Sequence, residues 1–144
     1  MRVERRVQIA APAERVYDVV MDPERLEDWV TIHHHLEDAP NGQLKRGSKL
    51  TQCLKLAGKK FKVRWTVVEN DPCKHVVWEG RGPVGSRAHI EYRFSADDGA
   101  TDFSYVNEYD LPGGPLGRIA GRTVARVTQK ELEGSLQRLK SLVE

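Results

Sequence analysis

The stretch SRAHIEYRFSADDGATDFSYVNEYDL, residues 86–111, carries two alternating runs separated by a turn. In the first run Ala88, Ile90, Tyr92 and Phe94 share one face, while Arg87, His89, Glu91 and Arg93 share the other. In the second run Phe103, Tyr105, Asn107, Tyr109 and Leu111 oppose Ser104, Val106, Glu108 and Asp110. Successive side chains of a strand point to opposite faces, so both runs predict half-buried strands. Asp97-Asp98-Gly99 between them predicts a tight antiparallel hairpin. One face of this pair is aromatic and the other is charged.

The same pattern extends upstream. Phe61, Val63, Trp65 and Val67 oppose Lys60, Lys62, Arg64 and Thr66. Residues 48–56, 60–69, 75–80, 86–96 and 102–111 read as consecutive strands. Ala57-Gly58, Asn70-Asp71-Pro72 and Gly82-Pro83 punctuate them. Residues 2–10 form a further strand, with Val3, Val7 and Ile9 on the apolar face and Arg5 as the exception. Pro12 and Glu14 suit a helix start, and Val16, Val19 and Val20 follow at helical spacing. Asp22-Pro23 opens a second short helix that would bury Leu26 and Trp29. After Pro112-Gly113-Gly114-Pro115, the residues Leu116, Ile119, Ala120, Val124, Val127, Leu132, Leu136, Leu139 and Val143 mark one long helix. Gly121 and Gly134 interrupt it, each costing ~1 kcal/mol relative to Ala unless it serves a bend or a close approach.

Composition narrows the function classes. A chain of 144 residues with 39% hydrophobic and 31% charged residues fits one domain spanning 1–144. Mean hydropathy is −0.57. The net charge of +2 gives no reason to expect nucleic acid. Two cysteines, Cys53 and Cys73, are too few for a disulfide scaffold. No signal-peptide pattern opens the chain and no apolar run approaches a membrane span, so a cytoplasmic protein is expected. Eight of the ten aromatic residues lie between positions 61 and 109, within the strands. An aromatic sheet face needs a cover, and the terminal helix is the natural one. A curved antiparallel sheet around a long helix leaves a concave apolar space wherever filling side chains are few, and such a space is by default a ligand site.

Several segments resemble a known family. IAAPAERVY (9–17) and DPERLEDW (22–29) look like the opening of the START-like, or SRPBCC, superfamily. VENDP (68–72), VWEG (77–80), EYDLPGG (108–114) and LQRLK (136–140) resemble its bacterial polyketide cyclase/dehydrase branch. The resemblance spans essentially the whole chain. It implies an α+β helix-grip fold: a curved seven-stranded antiparallel sheet around a long C-terminal helix, with two short helices after strand 1. A seventh strand is then required near His33 to Glu37. The family shares a cavity rather than a catalytic set.

The function expected is binding of a small hydrophobic ligand (a lipid, isoprenoid or polyketide-like aromatic) in the cavity. The wall is expected from Trp65, Trp78, Tyr92, Phe94, Phe103, Tyr105 and Tyr109, closed by Trp29 and by Leu116, Ile119 and Ala120 of the helix. Asn107 stands on the same face, either orienting a polar group of the ligand or satisfied by a local partner. The alternative is a polyketide cyclase or aromatase, with Tyr and Asn polarising a poly-β-keto chain. No catalytic residue is assigned, and Glu69 and Glu79 qualify as bases only if buried. A second alternative is a ligand-free interaction module using the basic hairpin.

His33-His34-His35 raises a metal hypothesis. On a regular strand His33 and His35 share a face and His34 opposes them, which leaves too few ligands for zinc. Neither a metal nor a cofactor is assigned. Charge is segregated: residues 45–64 carry eight basic side chains and no acid, whereas 14–38 are mainly acidic. Arg118, Arg122, Arg126 and Lys130 add a basic stripe on the last helix. Solvated faces explain this simply. The functional readings are peripheral contact with an anionic membrane surface and a homodimer joined through acidic and basic ends.

Overall fold

The computed structural model describes residues 2–110 and 115–144, with side chains described except at 115–122. The chain runs β1 (Arg2–Ile9), α1 (Ala13–Val20), a 3-10 turn (Pro23–Arg25), α2 (Leu26–Trp29), β2 (His33–Asp38), β3 (Lys49–Leu56) and β4 (Lys59–Asp71). It continues with β5 (His75–Arg81), a second 3-10 turn (Pro83–Gly85), β6 (Arg87–Asp97), β7 (Ala100–Asp110) and α3 (Pro115–Val143). The strands form one curved antiparallel sheet of seven in the order β1-β7-β6-β5-β4-β3-β2. The expected α+β architecture is what the chain adopts, including the short helices after β1. Among the described residues no helix is long and apolar enough to cross a membrane.

Local chemistry accounts for the elements. The β3–β4 hairpin turns at Ala57-Gly58 and the β6–β7 hairpin at Asp98-Gly99, all four residues having positive φ. That is the type I′ geometry whose twist matches the flanking strands. Asp22 Oδ1 accepts from the Glu24 N–H at 3.0 Å and caps the turn leading into α2. Pro23 occupies the first position, where no N–H is needed.

α3 has 29 residues, about 43 Å at 1.5 Å per residue. It buries Leu132, Leu136, Leu139 and Val143. The anomalous Arg5 on β1 is explained by the helix, because its Nε meets Glu133 Oε1 at 2.9 Å. Lys140 Nζ donates to the Gln8 carbonyl at 3.0 Å, and Glu144 Oε2 accepts from the Ala10 N–H at 2.8 Å. Thr31, after α2, packs on the same helix: its N–H donates to Ser135 Oγ at 3.0 Å and its hydroxyl to the Glu131 carbonyl at 3.1 Å. Gly134 lies at that crossing, where a Cβ would stand 3.4 Å from the Thr31 methyl. Gly121 falls outside the described side chains.

The expected regular alternation fails in β2. Its pairing with β3 shifts between His33 and His35 and again between Leu36 and Asp38. His34 and Glu37 are the extra residues of two β-bulges, which re-aim side chains. His33 turns inward to Gln52, whereas His34 and His35 come together on the outer face, with 2.6 Å between their Nδ1 atoms. The expected pairing of His33 with His35 is therefore wrong, because the bulge inserts a residue between them.

Candidate functional site

Strand register assembles an aromatic floor on the concave face. Tyr92 lies directly opposite Tyr105, Phe94 opposite Phe103, Ile90 opposite Asn107 and Ala88 opposite Tyr109. On the other side of β6, Trp78 pairs with Ile90 and Gly80 with Ala88. Gly80 in turn pairs with Trp65, so Tyr109, Ala88, Gly80 and Trp65 form one row across the sheet.

The rings pack mainly edge to face. Tyr92 and Tyr105 have centroids 4.9 Å apart, Trp78 and Tyr92 5.7 Å, and Trp65 and Trp78 5.9 Å. Trp29, at the end of α2, closes over Tyr92 at 6.2 Å and Tyr105 at 6.1 Å. These geometries suit the ring quadrupoles and add about 0.5–1.5 kcal/mol per pair beyond burial.

The face is graded in depth. Phe94 and Phe103 pack on each other at 5.1 Å, and Tyr17 of α1 closes on Phe94 at 5.8 Å. That end is sealed. Ala88, Asn107 and Tyr109 at the other end are only partly buried. Tyr109 shares a hydrogen bond with Thr128 of α3. Of the residues expected to form the wall, Trp29, Trp65, Trp78, Tyr92, Phe94, Phe103 and Tyr105 are brought together as a buried layer. Asn107 and Tyr109 stand at its accessible edge. The side chains of Leu116, Ile119 and Ala120 lie outside the described residues.

Polar groups within this layer are few. Trp65 Nε1 donates to Gln52 Oε1 at 3.0 Å, and the Gln52 amide nitrogen lies 2.8 Å from His33 Nδ1. Gln52 was not singled out in the sequence, yet it links the floor to the rim. Burial lowers the pKa of His33, favouring neutral imidazole. The Tyr92 and Tyr105 hydroxyls bond each other; burial holds Tyr92 well above its ordinary value and pushes Tyr105 up to about 12. Both are protonated at any physiological pH. The indole N–H groups of Trp29 and Trp78 are buried and have no acceptor among the described residues.

Candidate bases fall elsewhere. Glu69 and Glu79 have side chains 63% and 50% exposed and pair with His75 and His89. His89 joins Glu91, His75 and Arg93 in a charged ladder on the convex face, away from the aromatic floor.

Two surface recesses flank β2. One, of about 500 Å³, is lined by Pro23, Glu24, Arg25, Glu27, Asp28, Leu36 and the three histidines. The other, of about 590 Å³, includes Lys60, Lys62, Arg64 and Arg81.

With this geometry in hand, known proteins place the chain. "Toxin Rv0910" of Mycobacterium tuberculosis is 25% identical over 134 residues, covering 91% of this chain and 90% of that protein. The crystal structure of TTHA0849 from Thermus thermophilus superposes with a TM-score of 0.77 at 20% identity, covering 99% of this chain and 97% of that one. The Zhui aromatase/cyclase from Streptomyces sp. R1128 superposes with a TM-score of 0.75 at 16% identity, covering 99% and 93%. At such identities the structures speak for the fold alone. The family described as "Polyketide cyclase / dehydrase and lipid transport" matches residues 1–144, and the chain belongs to that family.

Proposed function

We propose that this protein binds a small hydrophobic molecule between the concave face of the sheet and α3. The observation that carries this reading is the pair of orphaned donors, the Trp29 and Trp78 indole N–H groups, within an otherwise apolar aromatic layer. A buried donor without an acceptor costs about 1–3 kcal/mol, a cost that a ligand oxygen would remove. The expected ligand is therefore mainly apolar and carries at least one acceptor oxygen. It enters past Ala88, Asn107 and Tyr109, the partly buried end of the face. A lipid, an isoprenoid or a polyketide-like aromatic ketone meets this description.

Trp29→Phe and Trp78→Phe test the reading, because each keeps a ring and removes the N–H. A bound ketone should lose roughly tenfold in affinity, about 1.4 kcal/mol, with each substitution. Both rings are buried, so each smaller ring also leaves a cavity that lowers the melting temperature. Affinity is compared at a temperature where circular dichroism shows the variants folded. Unchanged affinity in both variants would sink the role of the indoles.

Cyclase chemistry is the second reading. Its specific support is the protonated Tyr92–Tyr105 pair, whose hydroxyls could polarise a carbonyl. The similar Streptomyces structure is named as an aromatase/cyclase. Binding ranks first because Glu69 and Glu79 are exposed, as a catalytic base in the cavity would not be. Turnover of a poly-β-keto surrogate, lost in Tyr105→Phe with binding retained, would reverse the ranking. Exchange of the ligand at an anionic membrane through Lys55, Lys59 and Lys60 of the β3–β4 hairpin completes the proposal. Equal co-sedimentation with neutral and anionic vesicles would remove that part.

A further inference from the structure

We propose that His34, His35 and Cys53 form a zinc-class metal site on the convex face of the sheet, separate from the ligand space. One donor atom from each lies within 4.8 Å of the other two. The arrangement follows from the bulge in β2. His34 is the inserted residue, and the shifted register sets His35 directly opposite Cys53 on β3. Cys53 alternates with Gln52 and Leu54, which face inward, so its thiol belongs to the outer face. The side chain is nonetheless only 4% exposed.

The donor set selects the ion. Two imidazoles and a thiolate suit a borderline-to-soft transition metal, whereas calcium and magnesium require oxygen ligands. Three protein ligands leave a fourth tetrahedral position open. His34 and His35 line the recess of about 500 Å³, which supplies the entry path and room for a water or an external ligand. The Nδ1 atoms of His34 and His35 stand 2.6 Å apart. Two Zn–N bonds of about 2.0 Å at a tetrahedral angle need about 3.3 Å, a small opening for exposed rings. The Cys53 thiol proton would leave to solvent as the metal–sulfur bond forms.

A second contact orients the site. With Nδ1 of His35 facing His34, its Nε2 lies 3.5 Å from Glu37 Oε1. Metal-bound histidines commonly present the other ring nitrogen to a carboxylate in this way, which fixes the tautomer. Glu37 is held in turn by Lys62 Nζ at 2.8 Å, and Lys62 lies opposite Cys53. With Lys55 and Lys60 also on this face, a dication gains little from the imidazoles alone, so the site depends on the thiolate.

Cobalt(II) added to the intact, reduced protein provides the test, since it reports sulfur ligation by charge-transfer absorption. One equivalent should produce a sulfur-to-cobalt band with intense tetrahedral d–d absorption, and zinc should abolish both. Cys53→Ser should lose the band, while Cys73→Ser should keep it. His34→Ala and His35→Ala, on an exposed edge strand where folding is not at stake, should each weaken binding about tenfold or more, and Glu37→Gln about 10–100-fold. Circular dichroism confirms that each variant is folded. A cobalt complex with no thiolate band, a band surviving in Cys53→Ser, or affinity unchanged in His35→Ala would overturn the proposal.

Discussion

Gly80→Ala probes the packing that shapes the aromatic floor. Gly80 sits mid-strand in β5 between Trp65 on β4 and Ala88 on β6. A Cβ there would lie 2.6 Å from Trp65 Cε3, 2.7 Å from Trp65 Cζ3 and 2.7 Å from Val63 Cγ1. All three contacts are shorter than real Cβ atoms tolerate, so something must move by several tenths of an ångström. Little can yield. Trp65 and Val63 are 3% and 4% exposed, the Trp65 indole is tied to Gln52, and Trp78 packs on its other side. Paired strands on both sides hold the backbone. Overpacking of this kind costs about 1–3 kcal/mol, and the upper end applies. Replacing Gly in a strand returns about 0.5–1 kcal/mol. The net loss is about 2 kcal/mol, or about 6 °C in Tm for a chain of this size. Gly134→Ala is the matched control. Its Cβ meets only the Thr31 methyl at 3.4 Å, while helix propensity returns up to about 1 kcal/mol. Thermal unfolding followed by near- and far-ultraviolet circular dichroism measures both, with an altered aromatic signal expected only for Gly80→Ala. A Gly80→Ala variant melting within about 1 °C of the parent would refute the packing argument.

Other predictions follow from buried polar groups. Gln52→Leu leaves the Trp65 N–H without its acceptor and should cost about 1–3 kcal/mol in urea unfolding; an unchanged midpoint would contradict this. Tyr105 ionises near 10 when unfolded and at about 12 when folded, so its contribution is complete below pH 10. It is then lost progressively up to about pH 12, an effect on the order of 3 kcal/mol. Tyrosinate absorbance for Tyr92 and Tyr105 should therefore rise together with loss of circular dichroism, not before it. Burial raises the Glu91 pKa, but the His75 hydrogen bond and Arg93 outweigh it and hold the carboxyl below its ordinary value. Its stabilisation is present above the ordinary carboxylate range and lost as pH falls through the depressed pKa. Glu91→Gln should flatten the acid limb of Tm against pH, and an unaltered limb would count against the ladder.

Much of the fold was legible because β6 and β7 obey a strict period of two with an aromatic face, and because the β6–β7 and β3–β4 turns carry Asp-Gly and Ala-Gly. β2 was legible only through family resemblance. HHHLED has no alternation, its side chains are half-buried at most, and two bulges break its register. The same bulges hid the histidine–cysteine cluster. Cys53 is nineteen residues from His34, and only strand pairing brings them together. Arg5 looked anomalous because its partner, Glu133, lies on α3. The aromatic members of the floor were readable from their face. Their gradation from the sealed Phe94–Phe103 end to the accessible Asn107–Tyr109 end was not, because it depends on where α1 closes.

Native mass spectrometry of the protein purified from its own host bears most directly on ligand binding. A retained, largely apolar molecule carrying an acceptor oxygen, lost on denaturation and depleted in Trp29→Phe and Trp78→Phe, is the expected result. A protein that flies at its bare mass, and takes up no apolar ketone when one is supplied, would contradict it.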